Sequence, residues 1–286
     1  MGVLLTSKDL VEQIRANQKQ AAEALLARGI TPRLAIVLTI DSPVTNSYMG
    51  MKQRYGANLG ATVDVHRIDL ADAPAKIAEL NADKSVHAII VQLPLSDTNR
   101  TEEIVNLVAP EKDVDGLGEK ATFIPATPMA ILWLIAGHKV DMHDKKVVLV
   151  GRGKLVGAPL EKLLGDEGID VTVATRSTTP DIPAVTRNAD VIITATGFHG
   201  AVHSDMVKDG AVVVDAGVAS EGNKTIGDLS PDIYERGDLL VTPQKGGVGP
   251  LTVCALFENV LNAAGGTLDG GSATVFYQAG KEKVQA

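Results

Sequence analysis

In the stretch "TNSYMGMK", residues 45–52, a tyrosine and a lysine, Tyr48 and Lys52, stand four positions apart. On a helix that spacing puts both on one face, so an aromatic ring with a polar tip would sit one turn from an amine. A lysine moves protons efficiently only when burial and neighbouring dipoles bring its pKa toward neutrality. The pair is therefore a candidate for acid–base work, provided the fold desolvates it. Other polar candidates accompany it: Thr45 ahead of the pair, Gln92 in "VQLPL" and Asp115 in "PEKDVDG". Taken singly, each has a plainer use. Tyr48 suits amphipathic packing, Lys52 a solvated face, and Gln92 and Asp115 turns or caps.

A second pattern points to phosphate. "VVLVGRGKLVGAP" sets Gly151, Gly153 and Gly157 directly after an apolar strand and directly before a helix. There a glycine-rich turn can hold a phosphate on backbone N–H groups. The spacing is one residue longer than the usual dinucleotide fingerprint, and a tight strand-to-helix turn without a ligand uses glycines too. The next strand ends in "VATRST", with Arg176 and Ser177 where NAD sites tend to carry an acidic residue for the ribose hydroxyls. A cation there suits the 2′-phosphate of NADP, and Arg152 in the glycine turn can add a second. A pair of solvated surface arginines is the alternative reading.

The elements that must position these residues alternate between strand and helix. "SKDLVEQIRANQKQAAEALLARG" opens on a serine cap and closes at Gly29, as a long helix does. The strand "RLAIVLT", the helix "TNSYMGMKQRYGANLG", the strand "TVDVHRID", the helix "APAKIAELNADK" and the strand "HAIIVQLPL" follow. A second run begins after "FIPATPMAILWLIAGH", whose Pro128 fits the first turn of a helix, and continues through "KKVVLV", "LVGAPLEKLLGDEG", "DVTVATR", "DIPAVTRNA", "DVIITAT" and "AVVVDAG". This order predicts two parallel α/β units, joined near residues 118–140. "TVCALFENVLNAAG" reads as a last helix, and "GSATVFYQAGKEKVQA" as a loosely held tail.

Composition removes several classes of function. At 286 residues the chain is long enough for two lobes, and 45% hydrophobic with 22% charged residues is a globular balance. A formal net charge of −8 without clustered Lys and Arg argues against nucleic acid as a partner. The single cysteine, Cys254, lies in an apolar run and reads as a buried, inert thiol, so no disulfide framework forms within the chain. The N-terminus turns polar at once, without a charged n-region or a long apolar core, and no segment has membrane-spanning length. No membrane association is expected, and a cytoplasmic or organellar-matrix location fits. His199 and His203 are four apart, but Gly200 intervenes and no Cys or carboxylate pattern completes a set, so no metal site is expected.

Taken together, "YMGMK", "VQLPL", "PEKDVDG", "FIPATP", "VGRGKLVGAP", "IGD" and "TPQKGGVGPLTV", collinear over nearly the whole chain, resemble the methylenetetrahydrofolate dehydrogenase/methenyltetrahydrofolate cyclohydrolase family, often called FolD. The resemblance implies an N-terminal α/β catalytic domain, residues 1–120 with 251–286, and a Rossmann-type NADP-binding domain, residues 121–250, with the last helix returning to the first domain. It implies a homodimer acting on tetrahydrofolate derivatives in one-carbon metabolism, with folate and cofactor in a cleft between the domains. Lys52 resembles the catalytic lysine, Tyr48 the residue that stacks on or orients the folate, and Gln92 the group hydrogen-bonded near Lys52. Asp115 matches the carboxylate that binds the pterin amino group. Thr45, Gly247 and Pro250 fall at substrate-binding positions, and Gly151, Arg152, Gly153, Gly157, Arg176 and Ser177 at cofactor-binding ones. The opening pair then makes sense: a flat ring for an aromatic substrate, and proton chemistry one turn away.

The chain also departs from the family pattern. Thr45 stands where Ser is frequent, Gly153 replaces a Ser of the glycine turn, Ala126 replaces a common Cys, and Gln244-Lys245 replace a common Val-Pro. The segment between "KDVDG" and "FIPATP" is shortened. Two other readings of the residues are a different NADP-dependent two-domain reductase, acting for example on a cyclic hydroxy acid, and a non-catalytic binding homologue. The first has no need of Tyr48, Lys52, Gln92 and Asp115 together, and the second has no need of the lysine.

Overall fold

The computed structural model describes residues 2–217, 219–221 and 224–266. The tail expected from residue 271 onward lies outside them. The chain divides into two compact units, one holding residues 2–11 with 127–252 and the other residues 12–126 with 253–266.

The first unit is built on a six-stranded, all-parallel sheet. In chain order its strands are β1 (Val3–Leu4), β5 (Val147–Val150), β6 (Val171–Ala174), β7 (Val191–Thr194), β8 (Val212–Asp215) and β11 (Leu240–Val241). They lie side by side in the order β1-β11-β8-β7-β5-β6. β5 and β7 are buried along their whole length, which is why they read as unbroken runs of Val, Ile and Leu rather than as an alternation. Helices α6 (Gly157–Asp166) and α7 (Ile182–Thr186) connect them, and α5 (Ala126–Gly137) leads in. One cluster in the core joins Val148, Val150, Ile192 and Val213 to Met206, Leu229 and Ile233. The chain moves outward from β5 to β6 and then crosses to β7 on the far side of β5. Strand order thus reverses at β5, and the turn leaving its carboxyl end stands where parallel α/β sheets take their ligands.

The other unit has a three-stranded parallel sheet in the order β3-β2-β4, formed by β2 (Arg33–Leu38), β3 (Thr62–Arg67) and β4 (Ala88–Gln92). Strand order reverses at β2 in the same way, and the register pairs Leu38, the last residue of β2, with Gln92, the last of β4. Helix α2 (Pro43–Asn58) leaves the carboxyl end of β2, and α3 (Ala73–Ala82) connects β3 to β4. The short α4 (Thr101–Val105) and most of α1 (Lys8–Ala27) and of α8 (Val248–Ala263) also belong to this unit. Inside this unit the Tyr55 hydroxyl donates to Gln18 Oε1 at 2.7 Å and lies 3.3 Å from Cys254 Sγ. Burial pushes that thiol up to about 11, which makes it inert, as its apolar run suggested.

Some elements differ from the sequence reading. α2 begins at Pro43 rather than Thr45, because Ser42 is the cap and proline fits the first turn. β4 stops at Gln92 and does not run through "LPL", where Pro94 has no N–H for a ladder. β1, β11 and the hairpin of β9 (Ala219–Glu221) with β10 (Lys224–Ile226) were not anticipated.

Candidate active site and cofactor turn

The start of α2 is held by a reciprocal cap. Thr45 N donates to Ser42 Oγ at 3.2 Å, and Ser42 N donates to Thr45 Oγ1 at 3.0 Å. The Thr45 hydroxyl also donates toward the carbonyls of Ile40 and Ser42, both at 3.0 Å, and the residue is only 6% exposed. Its hydrogen-bonding capacity is therefore committed to fixing where α2 begins. That fixes Tyr48 and Lys52 on the helix that rises from the carboxyl end of β2.

Lys52 Nζ donates to Gln92 Oε1 at 2.9 Å. Gln92 Nε2 in turn donates to the Leu93 carbonyl at 2.8 Å, which turns the amide so that its oxygen faces the lysine. Burial lowers the Lys52 pKa from its ordinary value, and the nearby Asp115 charge opposes that shift. Asp115 is the mirror image. Burial raises its pKa, the Lys52 charge opposes the rise, and Asp113 adds to it. Both members of the pair are thus pushed toward their neutral forms by desolvation and held back only by each other.

The loop bearing Asp115 is organised by Asp113, a residue to which the sequence reading gave no role. Asp113 is 4% exposed and accepts from Gly116 N at 3.1 Å and Gly118 N at 2.8 Å. Gly116 has φ +67°, and a Cβ there would meet the Phe123 carbonyl at 2.7 Å, so the turn requires glycine. From α8, Asn259 Nδ2 donates to the carbonyls of Val114 and Ile124, each at 2.9 Å. A capped helix, an oriented amide and a pinned loop therefore converge on one amine of lowered pKa.

This geometry makes a signed prediction. Asp115 holds the Lys52 pKa up, so Asp115→Asn should lower it further. Acylation of Lys52 by a small ester, read by mass spectrometry across pH, should reach half its maximum at a lower pH in the variant than in the unsubstituted protein. An unmoved curve, or one moved to higher pH, would contradict the coupling.

In the first unit, Gly151 follows β5 with φ +102°, and a Cβ there would meet the Ala195 carbonyl at 2.6 Å. At Gly157 a Cβ would lie 2.3 Å from the Gly151 carbonyl oxygen and 2.8 Å from Arg152 Cα, so α6 starts in backbone contact with the turn. Gly153 has open space where a Cβ would be, and the first turn of α6 has no side-chain cap. A turn closed by two obligatory glycines, open over a third and leading into an uncapped helix fits a dinucleotide phosphate. Arg176 follows β6, with its guanidinium carbon 3.9 Å from the centre of the Phe198 ring. Ser177 Oγ is 3.1 Å from Thr175 Oγ1. Arg152 is paired instead with Glu161 of α6, at 2.6 Å.

Gly247 is buried in the loop that enters α8, and Pro250 is exposed in the first turn of that helix. The preceding Gly246 carbonyl accepts from both Ser7 N and Ser7 Oγ, each at 2.8 Å. The buried Asp228 of "IGD" accepts from Thr196 N at 2.7 Å and Phe198 N at 3.0 Å, a tether that the motif could have suggested. His199 Nδ1 is 3.0 Å from the Gly227 carbonyl. Among the described residues no group of three His, Cys, Asp or Glu side chains could hold a metal, and no helix is long and apolar enough to cross a membrane.

Comparison with known proteins places both units. A model of the tetrahydrofolate dehydrogenase/cyclohydrolase catalytic domain matches residues 5–115, and one of the NAD(P)-binding domain of the same enzymes matches residues 125–267. The chain belongs to the tetrahydrofolate dehydrogenase/cyclohydrolase family. Within that family it is 39% identical over 276 residues to the bifunctional protein FolD of Geobacillus thermodenitrificans, covering 91% of this chain and 96% of the relative. The crystal structure of the bifunctional FolD enzyme from Campylobacter jejuni superposes with a TM-score of 0.85 at 32% identity, covering 93% of this chain and 99% of that one. A Trypanosoma brucei family member, solved with NADP cofactor and an inhibitor, gives 0.84 at 27% identity, covering 92% and 97%. The family's two domains correspond to the lysine site and the glycine turn described above.

Proposed function

We propose that this chain oxidises 5,10-methylenetetrahydrofolate to 5,10-methenyltetrahydrofolate with NADP and hydrolyses the product to 10-formyltetrahydrofolate. The observation that carries this reading is the Lys52 site, an amine of lowered pKa hydrogen-bonded to Gln92 beside Asp115. It occurs in a chain that matches both family domains.

The two reactions ask different things of the protein. NADP, when bound, supplies the hydride acceptor. Loss of hydride from the methylene bridge leaves a cation shared by two nitrogens, so the protein's task in that step is alignment. Gly151, Gly153, Gly157 and the start of α6 would hold the pyrophosphate, with Arg176 and Ser177 at the 2′-phosphate. Arg152 is available there only on leaving Glu161. Hydrolysis needs proton transfer. Water attacks the methenyl carbon and one of its protons passes to the Lys52 amine, giving a neutral hydroxyl adduct. The lysine returns that proton to a ring nitrogen as its carbon–nitrogen bond breaks, and the adduct's hydroxyl proton leaves to solvent as the formyl C=O forms on the other nitrogen. Gln92 orients Nζ, Asp115 would bind the pterin amino group and keep the lysine's pKa from falling further, and Tyr48 would lie against the folate. Thr45 contributes through the cap of α2. Gly247 and Pro250 are assigned to folate by the resemblance, as are the homodimer and the cytoplasmic location.

The test is an absorbance assay with methylenetetrahydrofolate, run separately with NADP and NAD. NADP should be preferred, and Arg176→Ala should raise the Michaelis constant for NADP far more than for NAD, a loss of about 1–3 kcal/mol. Equal effects on both cofactors, or a preference of the unsubstituted protein for NAD, would reject the assignment.

A further inference from the structure

Arg176 and Phe198 come from loops that follow β6 and β7, and these strands flank β5 on opposite sides. For the guanidinium to lie 3.9 Å from the ring centre, the pair must reach across the carboxyl end of β5, where the glycine turn begins. The backbone that carries the ring is tethered. Phe198 N donates to Asp228 Oδ1 at 3.0 Å and to Thr196 Oγ1 at 3.0 Å, and Thr196 N donates to Asp228 Oδ2 at 2.7 Å. The Asp228 carboxylate is fully buried, in space left by Gly217, where a Cβ would lie 2.0 Å from it. Gly197, with φ +67°, completes the turn that brings the ring up. Phe198 is nevertheless 51% exposed, so its ring face is not explained by burial in the core. Arg176 has no ion pair with any described carboxylate, and the ring is what restrains its long side chain.

We infer that Phe198 is a specificity-determining positioning residue: its ring presents the Arg176 guanidinium, edge outward, to the 2′-phosphate of NADP. A stacked guanidinium keeps its N–H donors free, whereas a carboxylate partner would occupy them and compete with phosphate. This rests on the NADP reading above.

Kinetics with both cofactors test it, using Phe198→Ala, Phe198→Tyr, Arg176→Ala and the double variant of Phe198→Ala with Arg176→Ala. Phe198→Ala should raise the Michaelis constant for NADP by about 2- to 5-fold, more than that for NAD, with the change in KM rather than kcat. Phe198→Tyr should restore it, and in the Arg176→Ala background removing the ring should add nothing. If Arg176→Ala lowers NADP preference while Phe198→Ala shifts both cofactors equally or neither, the positioning role is overturned and the NADP reading stands. If Arg176→Ala leaves the preference unchanged, both fall.

Discussion

Lys52→Met should lower the rate of methenyltetrahydrofolate hydrolysis by about 100- to 10,000-fold, the range that a positioned acid–base group contributes. Methionine keeps the apolar stem and its packing along α2 but has no proton to give or take. Dehydrogenation should fall much less, because hydride departure is assisted by the substrate's own nitrogen and depends on alignment. Initial rates with each folate supplied separately, on a variant whose melting temperature is checked, decide the matter. A folded variant with full hydrolytic activity would eliminate Lys52 as the proton carrier. Equal loss of both activities together with lost folate binding would make it a binding residue instead.

The second large effect lies in the other unit and has the opposite selectivity. Gly157→Ala puts a methyl group 2.3 Å from the Gly151 carbonyl oxygen and 2.8 Å from Arg152 Cα, both backbone positions with no flexible end to yield. Relief requires opening the turn between β5 and α6, at about 1–3 kcal/mol for overpacking of this kind. NADP affinity should weaken by about 10- to 100-fold, and dehydrogenation at limiting cofactor should fall with it. Hydrolysis of supplied methenyltetrahydrofolate should persist, because Lys52, Gln92 and Asp115 belong to the unit that Gly157 does not. NADP titration by fluorescence, with both activities measured on the same sample, tests this. Unchanged NADP affinity would show that the turn does not carry the cofactor.

What the sequence made legible follows from how local each signal is. The four-residue spacing of Tyr48 and Lys52 and the placement of Gly151 and Gly157 after a buried strand are statements about neighbours in the chain. The fold keeps them as such. β1 and β11 were invisible because two residues carry no periodicity, and Val3 pairs with Leu240 only once the sheet exists. The same distance hid the partners of single side chains. Thr45 falls at a substrate-binding position of the family pattern, and no local signal announces that its hydroxyl also closes the cap of α2. Arg152 falls at a cofactor-binding position, and nothing in its neighbourhood of sequence announces its ion pair with Glu161 in the helix that follows the turn. Asp113 stood beside Asp115 in the quoted motif without a role, since its work is to accept backbone N–H groups from a turn whose shape the sequence does not display. Phe198 carries no local signal, because its partner Arg176 follows a different strand.

Product analysis in a single vessel tests the central claim most directly. With methylenetetrahydrofolate and NADP, the unsubstituted protein should form NADPH and 10-formyltetrahydrofolate, and Lys52→Met should form NADPH while methenyltetrahydrofolate accumulates, each species identified by mass spectrometry. Formation of 10-formyltetrahydrofolate by Lys52→Met as fast as by the unsubstituted protein, or no NADPH from either, would contradict the account.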